Sequence, residues 1–114
     1  MQKRKETDIV YAILKYLQVL ENLGKIAHCD RVNSGMFKVG KRMIRGARPG
    51  TADIIAYLNT GIVMHFEVKT DTGKQSKAQI MFMEKIRLID NHFYRVVRST
   101  DDVTFALKQM GVRV

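Results

Sequence analysis

The residues that could do chemistry in this chain stand at the ends of two apolar segments. Asp53 begins the first segment, and Glu67 and Lys69 end the second, while the intervening residues include many Ile, Val, Phe and Met. Charges in such surroundings are costly unless something compensates them. Two acids and a lysine brought together are groups that bind a divalent cation and support metal-assisted hydrolysis.

The two segments predict a β-hairpin with arms at 52–58 and 62–69 and a turn at 59–61. Counting outward from a three-residue turn pairs Asp53 with Glu67. The two side chains would then face each other directly, with Cβ atoms ~4.5–5.5 Å apart. A slip of one residue in the register would destroy this pairing.

The alternation of side chains along the second arm predicts two further groups at the site, the Lys69 side chain and the Val68 carbonyl. Glu67 and Lys69 share one face of the strand, and Val68 points to the other. Facing carboxylates repel, and a hard cation such as Mg²⁺ removes the repulsion. Asp53, Glu67 and the backbone carbonyl of Val68 would leave positions for water and a phosphate oxygen on such an ion. Lys69 would stabilise the attacking hydroxide or the phosphate charge.

A plainer interpretation of the same spacing stays open. Asp53 then only begins a strand, and Glu67 and Lys69 form an ion pair two residues apart on an exposed sheet face. An acid followed by Glu-x-Lys is a short pattern that often arises by chance, so spacing alone does not decide between the two.

The elements around the hairpin predict an α/β fold, a mixed sheet flanked by helices in the order αβββαβα. Residues 34–50 are predicted as a basic connection punctuated by glycines, with a short strand near Met43-Ile44. The other predicted elements are a helix at 6–23, a strand within 26–33, the hairpin arms, a helix at 77–90, a strand at 93–97 and a last helix from Ser99 to Gly111.

Basic residues dominate the charge of the chain. Its 20 Lys and Arg residues against 11 Asp and Glu residues give a net charge of +9. Such an excess favours an anionic partner, most commonly nucleic acid, although a merely solvated basic surface is the alternative. The predicted contacts to the DNA backbone are Lys38, Lys41, Arg42, Arg45 and Arg48 ahead of Asp53, and Lys74 and Lys77 after the hairpin.

Length and composition favour one domain over residues 1–114. No apolar run approaches the ~18 residues of a membrane span, and no apolar signal-peptide segment follows the charged start MQKRKETD. The single cysteine, Cys29, excludes an internal disulfide and fits a reducing cytoplasm. With His28 and Asp30 it supplies too few ligands for structural zinc. His65 alternates onto the face of Glu67, where it borders the site or packs in the core.

Four short motifs follow one another along the chain. They are Arg31-Val32-Asn33-Ser34-Gly35, Arg45-Gly46-Ala47-Arg48-Pro49-Gly50-Thr51-Ala52-Asp53-Ile54-Ile55, Phe66-Glu67-Val68-Lys69 and Ser76-Lys77-Ala78-Gln79. Asp53 with Glu67-Val68-Lys69 resembles the PD-(D/E)XK nuclease signature. The ordered set resembles the stand-alone VRR-NUC (virus-type replication-repair nuclease) domain across nearly the whole chain. The one departure is Ala52, where the superfamily often has a proline that is not a ligand.

The resemblance implies a restriction-endonuclease-like core and a DNA endonuclease that depends on Mg²⁺ or Mn²⁺. It implies Asp53 and Glu67 as metal ligands, Lys69 as the catalytic lysine, Gln79 as a site residue and Glu6 as an additional acid. Two of these residues could instead serve only the helices that carry them. Gln79 completes an S-x-x-Q capping box that Ser76 begins, and Glu6 is a first-turn acid that the helix dipole favours, with Asp8 as its rival for the catalytic role.

The predicted substrate is branched DNA, cut by a homodimer in the manner of a Holliday-junction resolvase. A chain this short has little surface for a separate recognition domain, and a twofold axis places two sites on two strands. A flap or nicking nuclease, a catalytically silent DNA-binding module and a structural partner protein are the alternatives. The resemblance also suggests a phage or prophage origin, which would place the protein in a bacterial host's cytoplasm.

Overall fold

The computed structural model describes residues 5–114, so the first four residues of the charged start lie outside the described residues. Within this range three helices and six strands follow one another in the order αβββββαβα. They are α1 (Glu6–Asn22), β1 (His28–Arg31), β2 (Met36–Val39), β3 (Arg42–Arg45), β4 (Ile54–Tyr57), β5 (Val63–Val68), α2 (Lys77–Ile86), β6 (His92–Val97) and α3 (Thr100–Gln109).

Four of the strands form one mixed sheet in the order β1-β4-β5-β6. The pairs β1–β4 and β4–β5 are antiparallel, whereas β5 and β6 are parallel. A parallel pair needs a long crossover connection, and α2 lies within it. The predicted α/β class, a mixed sheet with helices against it, is confirmed at this level.

The sheet carries apolar side chains on both faces. On one face α1 and α3 pack over a core that includes Phe66 and Val68, both fully buried. On the other face Ile86 of α2 packs with Ala52 and Tyr94 in a smaller cluster. The buried residues of α1 recur at helical spacing and are Ile9, Val10, Ile13, Leu17 and Leu20. No helix among the described residues has both the length and the apolar character to cross a bilayer.

The hairpin of β4 and β5 has the predicted register. Ile54 pairs with Phe66, and the Leu58 N–H donates to the Ile62 carbonyl at 2.8 Å to close the turn. Gly61 has a φ of +92°, a value that suits glycine. One further step along this register from Ile54 and Phe66 sets residue 53 opposite residue 67.

The short strand predicted near Met43-Ile44 is present as β3, but the prediction for residues 34–50 missed a second strand, β2. Residues 36–45, here called the ribbon, form an antiparallel pair of β2 and β3, closed at the base by a bridge between Ser34 and Ala47. Every residue of both strands is exposed. Neither face is buried, so no alternation of apolar and polar residues marks these strands in the sequence.

The second helix is shorter than predicted, since it ends at Ile86 instead of residue 90. Its last turn tightens: the Leu88 N–H donates to the Lys85 carbonyl and the Ile89 N–H donates to the Ile86 carbonyl, three residues back. Asn91, with a φ of +64°, then turns the chain toward β6. Ile89 therefore leaves the predicted apolar stripe and is 46% exposed.

Candidate metal centre

Three elements bring three carboxylates together. Glu6 is the first residue of α1, Asp53 directly precedes β4, and Glu67 lies near the end of β5. One carboxylate oxygen from each lies within 4.8 Å of the others. This acidic cluster could hold a metal ion, and within residues 5–114 it is the only such group of three or more His, Cys, Asp or Glu. Asp8, the rival to Glu6, is not a member.

Asp53 is held by backbone groups on both sides. Its Oδ2 accepts from the Val68 N–H at 2.7 Å, and its own carbonyl accepts from the Val32 N–H at 2.8 Å. The Val68 side chain points into the core of α1 and α3, as predicted. Since the N–H and C=O of one strand residue point to the same neighbour, the Val68 carbonyl also lies on the side of Asp53. It remains a candidate third ligand.

Glu67 is the buried member of the cluster, with 1% of its surface exposed. Its Oε2 accepts from Gln79 Nε2 at 3.2 Å and lies 3.9 Å from Lys69 Nζ. Its Oε1 is buried and has no hydrogen-bond partner among the described residues. A buried carboxylate oxygen without a partner is costly, and a bound cation would satisfy it.

The surroundings of Glu67 oppose its ionisation. Burial raises the pKa of Glu67 to about 9, and the neighbouring Asp53 carboxylate raises it further. The Lys69 ammonium acts in the opposite direction, and Glu6 adds a smaller repulsion. Glu67 therefore carries a proton at neutral pH unless a further positive charge faces it.

Lys69 follows β5 directly and is nearly buried, with 8% exposed. The loop after it folds over its stem: a Cβ on Gly73 would lie 3.4 Å from Lys69 Cδ. The Arg98 guanidinium donates to the Gly73 carbonyl at 3.0 Å and to the Thr70 carbonyl, which ties this loop down. Lys69 and Glu67 share one face of the strand, as predicted, and both side chains are buried there, with Lys69 Nζ 3.9 Å from Glu67 Oε2.

Arg98 is a site residue that the sequence analysis missed. It follows β6 as Lys69 follows β5, and parallel strands bring their carboxyl ends to the same edge. The position of Arg98 directly after a strand was visible in the sequence. Its proximity to Lys69 could be predicted only if β5 and β6 were known to be parallel neighbours.

Gln79 both caps α2 and contacts the acidic cluster. Its Oε1 accepts from the Ser76 N–H at 2.8 Å, and its own N–H donates to Ser76 Oγ at 3.2 Å, which completes the capping box. Its Nε2 remains to donate to Glu67. The side-chain oxygen of Gln79 caps the helix and its nitrogen bonds Glu67, so the capping box does not prevent contact with the cluster.

The histidines lie outside the acidic cluster. His65 is buried beside it, 2.9 Å from His92 through their ring nitrogens and edge-on to Phe82. Burial lowers the pKa of His65 to about 4, so it is neutral at physiological pH. His28 contacts Asp30 at 2.8 Å on the surface and belongs to no metal cluster of the described residues.

The predicted DNA contacts are all exposed, and most lie on segments that adjoin the cluster. The ribbon leaves the sheet just after Val32 and returns at Ala47, whose N–H donates to the Asn33 carbonyl. The base of the ribbon therefore lies next to Val32, whose N–H donates to the Asp53 carbonyl. The exposed basic residues are Lys38, Lys41, Arg42 and Arg45 on the ribbon, Arg48 on the returning loop, Lys74 before α2 and Lys77 at its first position.

Comparison with known proteins does not assign this chain to a family. No model of a protein family matches the chain, and no curated protein matches it either. What the site can do therefore rests on its own residues: three carboxylates, a buried lysine and an amide, bordered by exposed cations.

Proposed function

We propose that this protein is a divalent-metal-dependent DNA endonuclease with a PD-(D/E)XK core of the VRR-NUC type. The observation that carries the proposal is the buried Glu67 carboxylate, whose Oε1 has no hydrogen-bond partner among the described residues and which faces Asp53 and Glu6. A structural acid would be expected to be paired or exposed.

The donor set fits a hard cation. Carboxylate oxygens, with a backbone carbonyl beside them, are ligands that Mg²⁺ and Mn²⁺ prefer, and His and Cys are missing from the cluster. Asp53 and Glu67 would hold the ion, with Glu6 and the Val68 carbonyl as further donors. When bound, such an ion activates water and neutralises charge on a phosphodiester.

The other side chains prepare the site for hydrolysis. Gln79 donates to Glu67 Oε2 and so fixes the orientation of that carboxylate. Lys69 places a positive charge 3.9 Å from the same oxygen. There it would stabilise the negative charge that develops on the attacked phosphate. Arg98 positions Lys69 through the loop that it ties down.

The ribbon supplies the binding surface for DNA. Its four cations, Lys38, Lys41, Arg42 and Arg45, are exposed, and no acidic residue occurs between Asp30 and Asp53. Cations of this kind hold phosphates without reading sequence. They would bring the backbone of a duplex toward the acidic cluster, because the base of the ribbon lies next to Val32, which is hydrogen-bonded to Asp53.

Branched DNA, cut by a homodimer, is the proposed substrate. Its support is the resemblance to resolvase-like nucleases, together with the economy of a twofold axis as a way to reach two strands. A flap or nicking nuclease is the alternative within the same chemistry. A phage origin and a bacterial cytoplasm as compartment belong to the same proposal.

The first experiment is cleavage of a labelled four-way junction beside a matched linear duplex, with Mg²⁺ or Mn²⁺. We expect the wild type to cut the junction preferentially and Lys69→Ala, Asp53→Ala and Glu67→Ala to cut neither DNA. Lys15→Ala, on the exposed face of α1, is the matched control and should retain activity. Undiminished cleavage by Glu67→Ala would refute the metal centre, whereas equal cutting of both DNAs would refute only the choice of substrate.

A catalytically silent DNA-binding module is the second candidate. The raised pKa of Glu67 favours it, because a protonated Glu67 needs no metal ion to remain buried. Calorimetric titration with Mg²⁺ and Mn²⁺ separates the two. If the protein is a nuclease, it should bind the metal ion, and Asp53→Ala should abolish this binding. If it is a silent module, no metal binding should depend on the acidic residues.

A further inference from the structure

A cleft of about 460 Å³ opens between α2 and the loop at 48–51. Its floor is apolar and includes Met81, Phe82 and Ile89, and two cations, Arg48 and Lys85, stand among its lining residues. The volume falls within the ~300–1,000 Å³ of sites that enclose small ligands. Neither the metal centre nor the ribbon accounts for this cleft.

The wall formed by the loop is held closely against α2. A Cβ on Gly50 would lie 2.4 Å from the Ala78 carbonyl oxygen, and Gly50 has a φ of +92°, so the close approach depends on glycine. The Thr51 hydroxyl and N–H both donate to the Arg48 carbonyl, at 2.7 and 3.2 Å. The loop is therefore a hydrogen-bonded turn that keeps the cleft open beside the helix.

Each wall of the cleft carries a residue that lies close in sequence to the metal centre. Thr51, which lines it, precedes Asp53 by two residues. Ala78, on the opposite wall, directly precedes Gln79, which donates to Glu67. A ligand in the cleft would therefore lie next to a phosphate held at the acidic cluster.

The lining selects an occupant that is apolar and flat on one side and anionic on the other. No acidic side chain of residues 5–114 lines the cleft, whereas Arg48 and Lys85 both do. A second copy of the chain is a poor occupant, because a twofold interface here would bring the cations of two copies together. A nucleotide has both required features, an aromatic base and a phosphate.

We propose that this cleft binds an unpaired nucleotide of the substrate, next to the phosphate that is cleaved. The base lies on the apolar floor with the ring of Phe82, and its phosphate faces Arg48 and Lys85. Unpaired bases are the parts of a branched DNA that can leave the stack and pack against apolar and aromatic side chains. The inference rests on the proposed function and gives it a reason to prefer DNA with an unpaired nucleotide, such as a flap or a bulge, over fully paired duplex.

The test compares binding of two DNAs in EDTA, where cleavage cannot occur. One is a fully paired duplex, and the other is the same duplex with one extra unpaired nucleotide, both followed by fluorescence anisotropy. We expect the wild type to bind the second DNA about tenfold more tightly. Met81→Glu, which puts an acid on the cleft floor at a half-exposed position, should lose this preference and still bind paired duplex. Leu88→Glu makes the same change at an 86% exposed position outside the cleft and should retain the preference.

Each other outcome overturns the inference in a recognisable way. Equal binding of both DNAs by the wild type, or a preference that survives Met81→Glu, would refute the nucleotide cleft and leave the nuclease proposal standing. If both variants lost the preference, the net charge of the protein and not the cleft would be its cause. A change in sedimenting mass with Met81→Glu would assign the cleft to a protein interface. Failure to bind either DNA would refute the proposed function as well.

Discussion

Glu67 differs from the other acids of the chain through its surroundings. Glu84 on α2 is solvated, whereas Glu67 is 1% exposed and faces Asp53. The sequence was sufficient to predict that Asp53, Glu67 and Lys69 converge, because a three-residue turn sets the register and alternation sets the face. It could not predict from spacing that Glu6 joins them, since that depends on where the start of α1 meets the sheet.

The stability of the protein should fall as pH rises when no divalent metal is present. The folded pKa of Glu67 is about 9 against an ordinary value of 4.5, so its stabilising contribution is complete below pH 4.5 and is lost as pH rises through 9. The loss reaches at most about 1.4 kcal/mol per pH unit. Urea unfolding at pH 7, 8 and 9 in EDTA measures it, in a range above the titration of His65.

Two variants and the addition of a divalent metal ion test whether Glu67 causes this decline in stability. Glu67→Gln should remove the decline, and Glu84→Gln should keep it. Mg²⁺ or Mn²⁺ at pH 8 should raise the free energy of unfolding of the wild type but not of Glu67→Gln. A decline that persists unchanged in Glu67→Gln would show that another group causes it.

Removal of the Arg98 side chain should impair chemistry more than binding. Arg98→Ala frees the loop at 70–73, so Lys69 loses its fixed position and kcat should fall about tenfold with little change in KM. Arg87→Ala, on the exposed turn after α2, is the control and should behave as the wild type. Metal affinity from calorimetry should be the same in all three proteins, and a large loss of it in Arg98→Ala would contradict a role confined to positioning.

At the scale of elements, strands with a buried face were predicted more accurately than strands without one. The arms β4 and β5 were predictable because apolar residues, a three-residue turn and a glycine agree on one register. Of the ribbon, only the short strand near Met43-Ile44 was predicted, because its strands bury neither face. The end of α2 was misplaced because Leu88 and Ile89 continue an apolar pattern that the backbone does not follow.

The ribbon should contribute salt-dependent affinity that does not distinguish DNA shapes. Lys41→Ala together with Arg42→Ala removes two phosphate contacts, so the slope of log K against log salt should decrease by about two. Junction and duplex should weaken by the same factor. Lys15→Ala with Lys25→Ala removes the same charge from exposed positions in α1 and just after it, and should leave the slope unchanged. Equal slopes in both double variants would assign the effect to net charge.

At the scale of the whole molecule, the proposed function requires metal ligands, DNA contacts and selectivity from the elements of one fold. The acidic cluster, the ribbon and the cleft adjoin one another through Asp53 and Gln79, and α1 and α3 occupy the opposite face of the sheet. The sequence indicated the first two of these functions through residue types. The cleft was not predictable, because it depends on the approach of Gly50 to Ala78.

The proposed homodimer predicts a mass in solution of twice the 13.1 kDa of the chain. Sedimentation of the protein alone and with a four-way junction measures it. We expect the dimer at least on the junction, because symmetric cutting needs two sites. A monomeric mass of the protein both alone and bound to DNA would contradict the dimer and favour the flap or nicking nuclease.

The double role of Gln79 restricts which residues this position can tolerate. Glu would serve the helix cap equally well but would bring another carboxylate to Glu67. Ala would remove the donor and the cap together, and Lys would offer a donor without the acceptor that Ser76 requires. Glutamine alone among these supplies one acceptor and one donor at the right reach. A mutational scan that selects for folding should therefore accept Glu at this position, and one that selects for activity should reject it.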